Sequence, residues 1–162
     1  MKVIKIIAVV LLLVFVGIQF IPTKKNQGST VPATDISNIY AIPREAETIL
    51  KISCYDCHSN NTDYPWYNKI QPFSGILENH IIEGKEHLNF SEFGTYSKRK
   101  QRSMFNSMAG QIEEGEMPLQ SYLWMHREAR LSEMEKETLL KWIEESLESL
   151  KLRKQSMEQD IQ

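Results

Sequence analysis

The two cysteines of this chain limit its possible folds more than any other feature, because both fall within Cys54-Tyr55-Asp56-Cys57-His58. With only 2 cysteines in 162 residues, one disulfide is the most that the chain can form, so a disulfide framework cannot hold it together. A bridge between residues three apart would also be strained. The chain must therefore fold around an apolar core, around a bound group, or around both.

The composition is typical of a globular domain with appendages. Hydrophobic residues make up 41% of the chain and charged residues 25%, which argues against a disordered, collagen-like or multi-span membrane protein. A length of 162 residues suits one domain rather than two sizeable ones. The formal net charge of −2 offers no basic surface, so we expect no nucleic-acid partner.

An uncharged apolar run from Ile6 to Ile21 contains a single polar side chain, Gln19. Counted as a helix from Val3 to Pro22, it would be about 30 Å long, the thickness of the bilayer's hydrocarbon core. The sequence therefore predicts a transmembrane signal-anchor over residues 1–22, with a single-pass inner-membrane location and the domain facing the periplasm. The alternative is a cleaved signal peptide and a secreted or periplasmic protein, although bulky residues occupy the place of a cleavage site.

Composition divides the rest of the chain into three parts. Residues 23–42 are polar and include Gly28 and Pro32, which predicts a flexible linker. Residues 43–150 have apolar side chains at helical spacing and no sustained strand alternation, so we expect a mainly α-helical domain. Residues 151–162 are polar and predict a frayed tail.

Four principal helices are predicted within the domain, and they begin near Pro43, Ser74, Ser97 and Ser132. The second is expected to end near Gly84. The last is expected to open with a capping box, in which Ser132 and Glu135 bond to each other's backbone amides.

The motif Cys-x-x-Cys-His is the attachment signature of c-type haem. Residues three and four apart lie on the same face of a helical turn, so Cys54, Cys57 and His58 would point the same way. The two thiols can add to the two vinyl groups along one porphyrin edge, with His58 beneath the iron as the proximal ligand. A backbone carbonyl of Pro65 or Pro72 is expected to accept the other imidazole proton. One covalent haem c is the predicted cofactor.

Two other types of site use similar residues. A thioredoxin-like dithiol also has Cys-x-x-Cys, but it opens a helix after a strand, whereas here a helix is predicted before the pair. A structural zinc site needs four ligands, so Cys54, Cys57 and His58 would require a distant fourth residue. Both alternatives are weaker than haem attachment.

Met117 is the candidate for the distal iron ligand. Pro118 disfavours helical backbone at Met117, and Gly115 gives the loop freedom to approach the ring. A thioether ligand opposite histidine raises the reduction potential relative to a second histidine. His87, the weaker candidate Met125 and an open sixth position remain as alternatives.

The order of these features resembles a cytochrome c-like protein: a helix, the Cys-x-x-Cys-His motif, a loop, Met-Pro and a C-terminal helix. More closely, the chain is similar to the bacterial haem-binding domain family with a single attachment motif. The stretches that carry the resemblance are residues 54–72, 87–93 and 114–143. The resemblance implies a small cytochrome c-like helical domain with haem bound covalently through Cys54 and Cys57 and with His58 on the iron.

We therefore expect a membrane-anchored periplasmic mono-haem c-type cytochrome that cycles between Fe(II) and Fe(III). Its partners would be redox proteins and, through the N-terminal helix, the membrane. An electron carrier is favoured over an enzyme, because no substrate site or proton shuttle is visible in the sequence. The alternative is a haem-based sensor or a peroxidase-like protein with an open or displaceable sixth ligand.

Overall fold

The computed structural model of the protein describes residues 1–28 and 30–159. Its α-helices are α1 (Lys2–Ile18), α2 (Ile36–Ile39), α3 (Arg44–Ser53), α4 (Tyr55–His58), α5 (Phe73–His87), α6 (Lys98–Glu113), α7 (Gln120–Leu123) and α8 (Glu133–Gln159). The 3₁₀ helices are Trp66–Lys69, Phe90–Thr95 and Arg127–Ala129. Within the described residues, β geometry is limited to an isolated bridge between Gln27 and Asn61. The prediction of a mainly α-helical chain is confirmed.

The main core is formed by the apolar faces of α3, α6 and α8 together with the 3₁₀ helix Phe90–Thr95. Phe105 lies at its centre, with its ring centroid 5.0 Å from that of Phe93 and 5.8 Å from that of Trp142. The indole N–H of Trp142 donates to the carbonyl of Ala41 at 3.2 Å, so the polar edge of this buried ring has a partner. This core fixes α6, which forms one wall of the site described below.

The last helix opens with the predicted capping box. The amide of Ser132 donates to the Glu135 carboxylate at 2.8 Å, and the amide of Glu135 donates to the Ser132 hydroxyl at 3.3 Å. These bonds satisfy donors that the first turn of a helix leaves free. Of the predicted frayed tail, residues 151–159 continue α8, whereas residues 160–162 lie outside the described part of the chain.

The predicted transmembrane helix is wrong. α1 has 17 residues, which corresponds to about 26 Å against a hydrocarbon core of about 30 Å. It ends at Ile18, and the next residue, Gln19, is bonded to the domain: its Oε1 accepts from the Gln71 amide at 2.9 Å, and its Nε2 donates to the Gln71 carbonyl at 3.2 Å. No helix in the described residues is both long and apolar enough to cross a bilayer. The predicted single-pass inner-membrane location is therefore wrong as well.

Residues 19–28, which we call the N-terminal strap, run along the surface of the domain. Asn26 is its main contact: Nδ2 donates to the Ser59 carbonyl at 2.8 Å, and Oδ1 accepts from Lys85 Nζ at 2.6 Å. The Asn26 amide donates to the Tyr64 hydroxyl at 2.6 Å, and its carbonyl accepts from the Thr62 amide at 2.9 Å. The strap therefore packs against the loop that directly follows the cysteine motif.

Residues 30–42 of the segment 23–42, where a flexible linker was expected, also contact the domain. Asp35 caps α2 by accepting from the Ser37 amide at 3.0 Å, and Ile36 is fully buried in the main core. The hydroxyl of Thr34 donates to the Ser91 carbonyl at 2.7 Å. These bonds join the segment to the 3₁₀ helix that starts at Phe90.

We expect Ser132→Ala to lower the free energy of unfolding by about 1 kcal/mol, because the substitution removes the hydroxyl that caps α8. Denaturant unfolding measures the change. Ser156→Ala is the matched control on the same helix, since the exposed Ser156 hydroxyl only donates to the Arg153 carbonyl. The control should leave stability unchanged or raise it slightly, because alanine favours helix. Equal losses in the two variants would contradict a stabilising capping box.

Candidate functional site

The cysteine motif forms the short helix α4, with Cys54 at its N-cap position. The amides of Cys57 and His58 both donate to the Cys54 carbonyl, at 3.3 and 3.0 Å. This single turn brings the side chains of all three residues to the wall of one cavity. The spacing of the motif in the sequence is thus matched by a shared orientation in the fold.

The cavity has a volume of about 470 Å³, which lies within the range of cofactor and ligand sites. α4 and α5 form one side of it, α6 forms another, and the loop between α6 and α7 closes a third. Leu88, Phe90, Met108 and Ile112 contribute much of its apolar wall. An apolar cavity with a few polar groups converging on it is the usual form of a cofactor site.

The imidazole of His58 is held by a backbone carbonyl. Its Nδ1 lies 2.9 Å from the Leu88 oxygen, and because a carbonyl can only accept, Nδ1 carries the proton and Nε2 keeps its lone pair. Burial lowers the pKa of His58, which favours the neutral imidazole that metal ligation requires. The expected partner, a carbonyl of Pro65 or Pro72, is wrong. Leu88 follows the last turn of α5, where helix carbonyls are left without intrahelical partners.

Gly84 allows α5 to pass directly against the motif. A Cβ at this position would lie 2.8 Å from the Cys57 carbonyl oxygen and 3.3 Å from the Cys57 Cβ, so any larger residue would force the two helices apart. α5 continues through Gly84 to His87, although the sequence predicted its end near this glycine. Gly84 therefore permits the close contact between α5 and α4 and does not end α5.

Both cysteines are free and half-buried. Burial, together with the charge of Cys57 beside Cys54 and of Asp56 beside Cys57, raises the pKa of each thiol to about 12. Redox-active dithiols have lowered thiol pKa values, so this environment argues against a dithiol oxidoreductase. A zinc site has no support either: within residues 1–28 and 30–159, no three or more histidine, cysteine or carboxylate side chains are grouped to hold a metal ion.

The chain reverses after α6 through a glycine cap and so brings Met117 to the cavity. Gly115 has φ +70°, its amide donates to the Ile112 carbonyl at 3.3 Å, and the Glu116 amide donates to the Gln111 carbonyl at 3.0 Å. This pair of bonds is the Schellman motif, for which glycine is favoured because it adopts positive φ without strain. Met117 lies in the wall of the same cavity as His58.

Other side chains of types that can bind iron also line the cavity. Two histidines of α5 are among them: His87, which is exposed, and His80, which is half-buried. They are seven residues apart and so lie on the same face of the helix. From the sequence, His80 was expected to be a surface or hydrogen-bonded residue, although its helical spacing from His87 places both on one face of α5. Met125 is 54% exposed, and neither Met125 nor His126 lines the cavity.

These residues fit a haem by the chemistry of their donor atoms. Two thiols, an imidazole with Nε2 available and a thioether share one largely apolar cavity. The sequence model of a family described as a haem-binding domain matches residues 13–145. Comparisons with curated proteins and with solved structures gave no match, so the cytochrome c-like arrangement of the helices stays a prediction.

We expect Gly84→Ala to lower the free energy of unfolding by about 1–3 kcal/mol, because the added methyl group overpacks the contact with Cys57. Gly110→Ala is the matched control in α6, since a Cβ at Gly110 meets no atom within 4 Å. The control should raise stability by about 0.5–1 kcal/mol, the usual gain of alanine over glycine within a helix. Denaturant unfolding of both variants measures the difference, and a gain from both substitutions would contradict the close contact.

Proposed function

The chain belongs to the haem-binding domain family, and on this basis we propose that it is a mono-haem electron carrier of the c type. Cys54 and Cys57 hold the haem through thioethers, His58 is the proximal iron ligand and Met117 the distal one. The single observation that supports this most strongly is that these four side chains line one cavity. When bound, the haem supplies one-electron exchange between Fe(II) and Fe(III).

The chain's own residues would set the ligand field and the potential. The Leu88 carbonyl fixes the tautomer and ring orientation of His58 and makes Nε2 a better donor. The thioether of Met117 is neutral and soft, and opposite histidine it raises the reduction potential. The apolar wall around Phe90 and Ile112 limits water near the site, which affects the potential through the local dielectric.

Electron transfer is favoured because His58 and Met117 both line the cavity and would each give the iron a ligand, which would leave no coordination position for a substrate. Redox proteins would be the partners that exchange electrons with it. The presence of His87 and His80 in the same wall supports a second candidate, a haem with two histidine ligands and a lower potential. A sensor or peroxidase-like protein would require a sixth position that is open or easily vacated.

We expect the protein, produced in cells that attach haem c, to carry one covalent haem, because both thiols and His58 lie on one wall of the cavity. A pyridine haemochrome spectrum after denaturation and extraction measures the attached haem. Cys54→Ala should leave one thioether and shift that spectrum, and the variant with both cysteines replaced should lose the haem on extraction. A colourless wild-type protein with two titratable thiols would contradict the proposal.

We expect Met117→Ala to abolish the low-spin spectrum of the ferrous protein and to lower its reduction potential, because the thioether ligand is lost. Optical spectroscopy and redox titration measure both effects. Met125→Ala is the matched control, since Met125 is exposed and lies outside the cavity. The control should leave spectrum and potential unchanged.

An unchanged spectrum in Met117→Ala would transfer the distal role to another side chain. His87→Gln and His80→Gln then distinguish the two histidines, because only the true ligand gives a high-spin spectrum when replaced. A wild-type haem that is high-spin, with an open sixth position, would favour the sensor or peroxidase-like alternative.

A further inference from the structure

Asp56, the residue just before the second cysteine of the motif, is bonded to the helix that follows the Met117 loop. Its Oδ2 accepts from the hydroxyl of Tyr122 at 2.8 Å. Its Oδ1 accepts from the amide of Asp63 at 3.0 Å, and its carbonyl accepts from the Thr62 hydroxyl at 2.6 Å. Asp56 is therefore fixed in α4 by bonds to the loop that follows it, and it also holds the Tyr122 hydroxyl.

Tyr122 belongs to α7, directly after the Met117 loop, and its side chain lines the cavity. Its ring stacks on that of His126 with centroids 4.1 Å apart and planes inclined by 6°. His126 Nε2 lies 2.8 Å from the Tyr67 hydroxyl. In the described chain, these bonds to Asp56 and Tyr67 are the side-chain hydrogen bonds that join residues 117–126 to other segments.

The bond between Asp56 and Tyr122 joins a carboxylate to a phenol, and hydrogen bonds to charged groups contribute more than neutral ones. Burial, followed by the neighbouring Asp56 charge, raises the pKa of Tyr122, so the phenol remains a proton donor. The bond joins the motif helix α4 to α7, and both residues line the cavity. Moving the Met117 loop away from the cavity would break it.

We propose that Asp56 and Tyr122 are positioning residues that hold the Met117 loop closed over the cavity and so keep the distal ligand on the iron. The inference rests on the proposed function, in which His58 and Met117 are the two axial ligands. Neither Asp56 nor Tyr122 touches the iron in this role. Together they set how often the thioether of Met117 leaves it.

The expected size of the effect follows from the energy of such a bond. In the wild-type protein, opening of the loop breaks the Asp56–Tyr122 bond, whereas in Tyr122→Phe there is no bond to break. Opening should therefore become more frequent by roughly 10- to 100-fold, the equilibrium change that corresponds to a hydrogen bond with a charged partner. An external ligand that binds only after Met117 dissociates would bind faster by the same factor.

Carbon monoxide binding to the ferrous haem-loaded protein tests this directly. Tyr122→Phe keeps the ring and its stacking on His126 but removes the hydroxyl, and it should speed carbon monoxide binding by roughly 10- to 100-fold. Tyr64→Phe is the matched control, because its hydroxyl also donates to a carboxylate, Glu78, at 3.1 Å, but Tyr64 lies outside the cavity. The control should bind carbon monoxide at the wild-type rate.

The reduction potential provides a second readout that a general loss of stability would not move. Tyr122→Phe should lower the potential, because the ferrous state loses part of its thioether ligation. If Tyr122→Phe does not accumulate as a folded protein, Asp56→Asn weakens the same bond by removing its charge and should also speed carbon monoxide binding.

The outcomes separate this inference from the proposed function. The positioning role alone would be overturned if the wild-type protein carries covalent haem but Tyr122→Phe binds carbon monoxide at the same rate as Tyr64→Phe. Fast binding in the wild-type protein itself would overturn it too, since no ligand would then need to leave. A wild-type protein without covalent haem would overturn both.

Discussion

The contact between α4 and α5 is the constraint on which the site depends. Gly84 lets the two backbones approach until α5 touches the Cys57 carbonyl, and one turn later the Leu88 carbonyl binds His58. One helix end thus fixes both the backbone of the cysteine motif and the orientation of its imidazole. The motif turn, which would hold the proposed haem, needs this outside support, because a four-residue helix has little stability of its own.

The loop that carries Met117 is held in a different way from α6. The backbone reverses at Gly115, Tyr122 of the following helix bonds to Asp56, and Met117 is not part of the main core. The loop therefore depends on a few directional bonds, whereas α6 is fixed by Phe105 and its aromatic neighbours. In the proposed haem protein, the position of Met117 could then be adjusted with little cost to the fold.

Local patterns predicted several features of the structure. The capping box of Ser132, the start of α6 after Ser97 and the reversal at Gly115 are each encoded within a few residues. Features that depend on distant partners could not be predicted in this way. A backbone carbonyl such as that of Leu88 leaves no signal in the sequence, and the end of α1 is followed by a bond between Gln19 and Gln71, whereas apolar composition alone suggested a longer helix.

The N-terminal strap also limits how far the chain can be shortened from its N-terminus. Asn26 supplies hydrogen-bond partners to five groups that lie between residues 59 and 85, among them the backbone of the loop after the motif. A fragment that began at residue 43 would contain both cysteines and Met117, yet it would leave those groups without their partner. A fragment that keeps these contacts must therefore start upstream of Asn26, well before the first residue that could touch a haem.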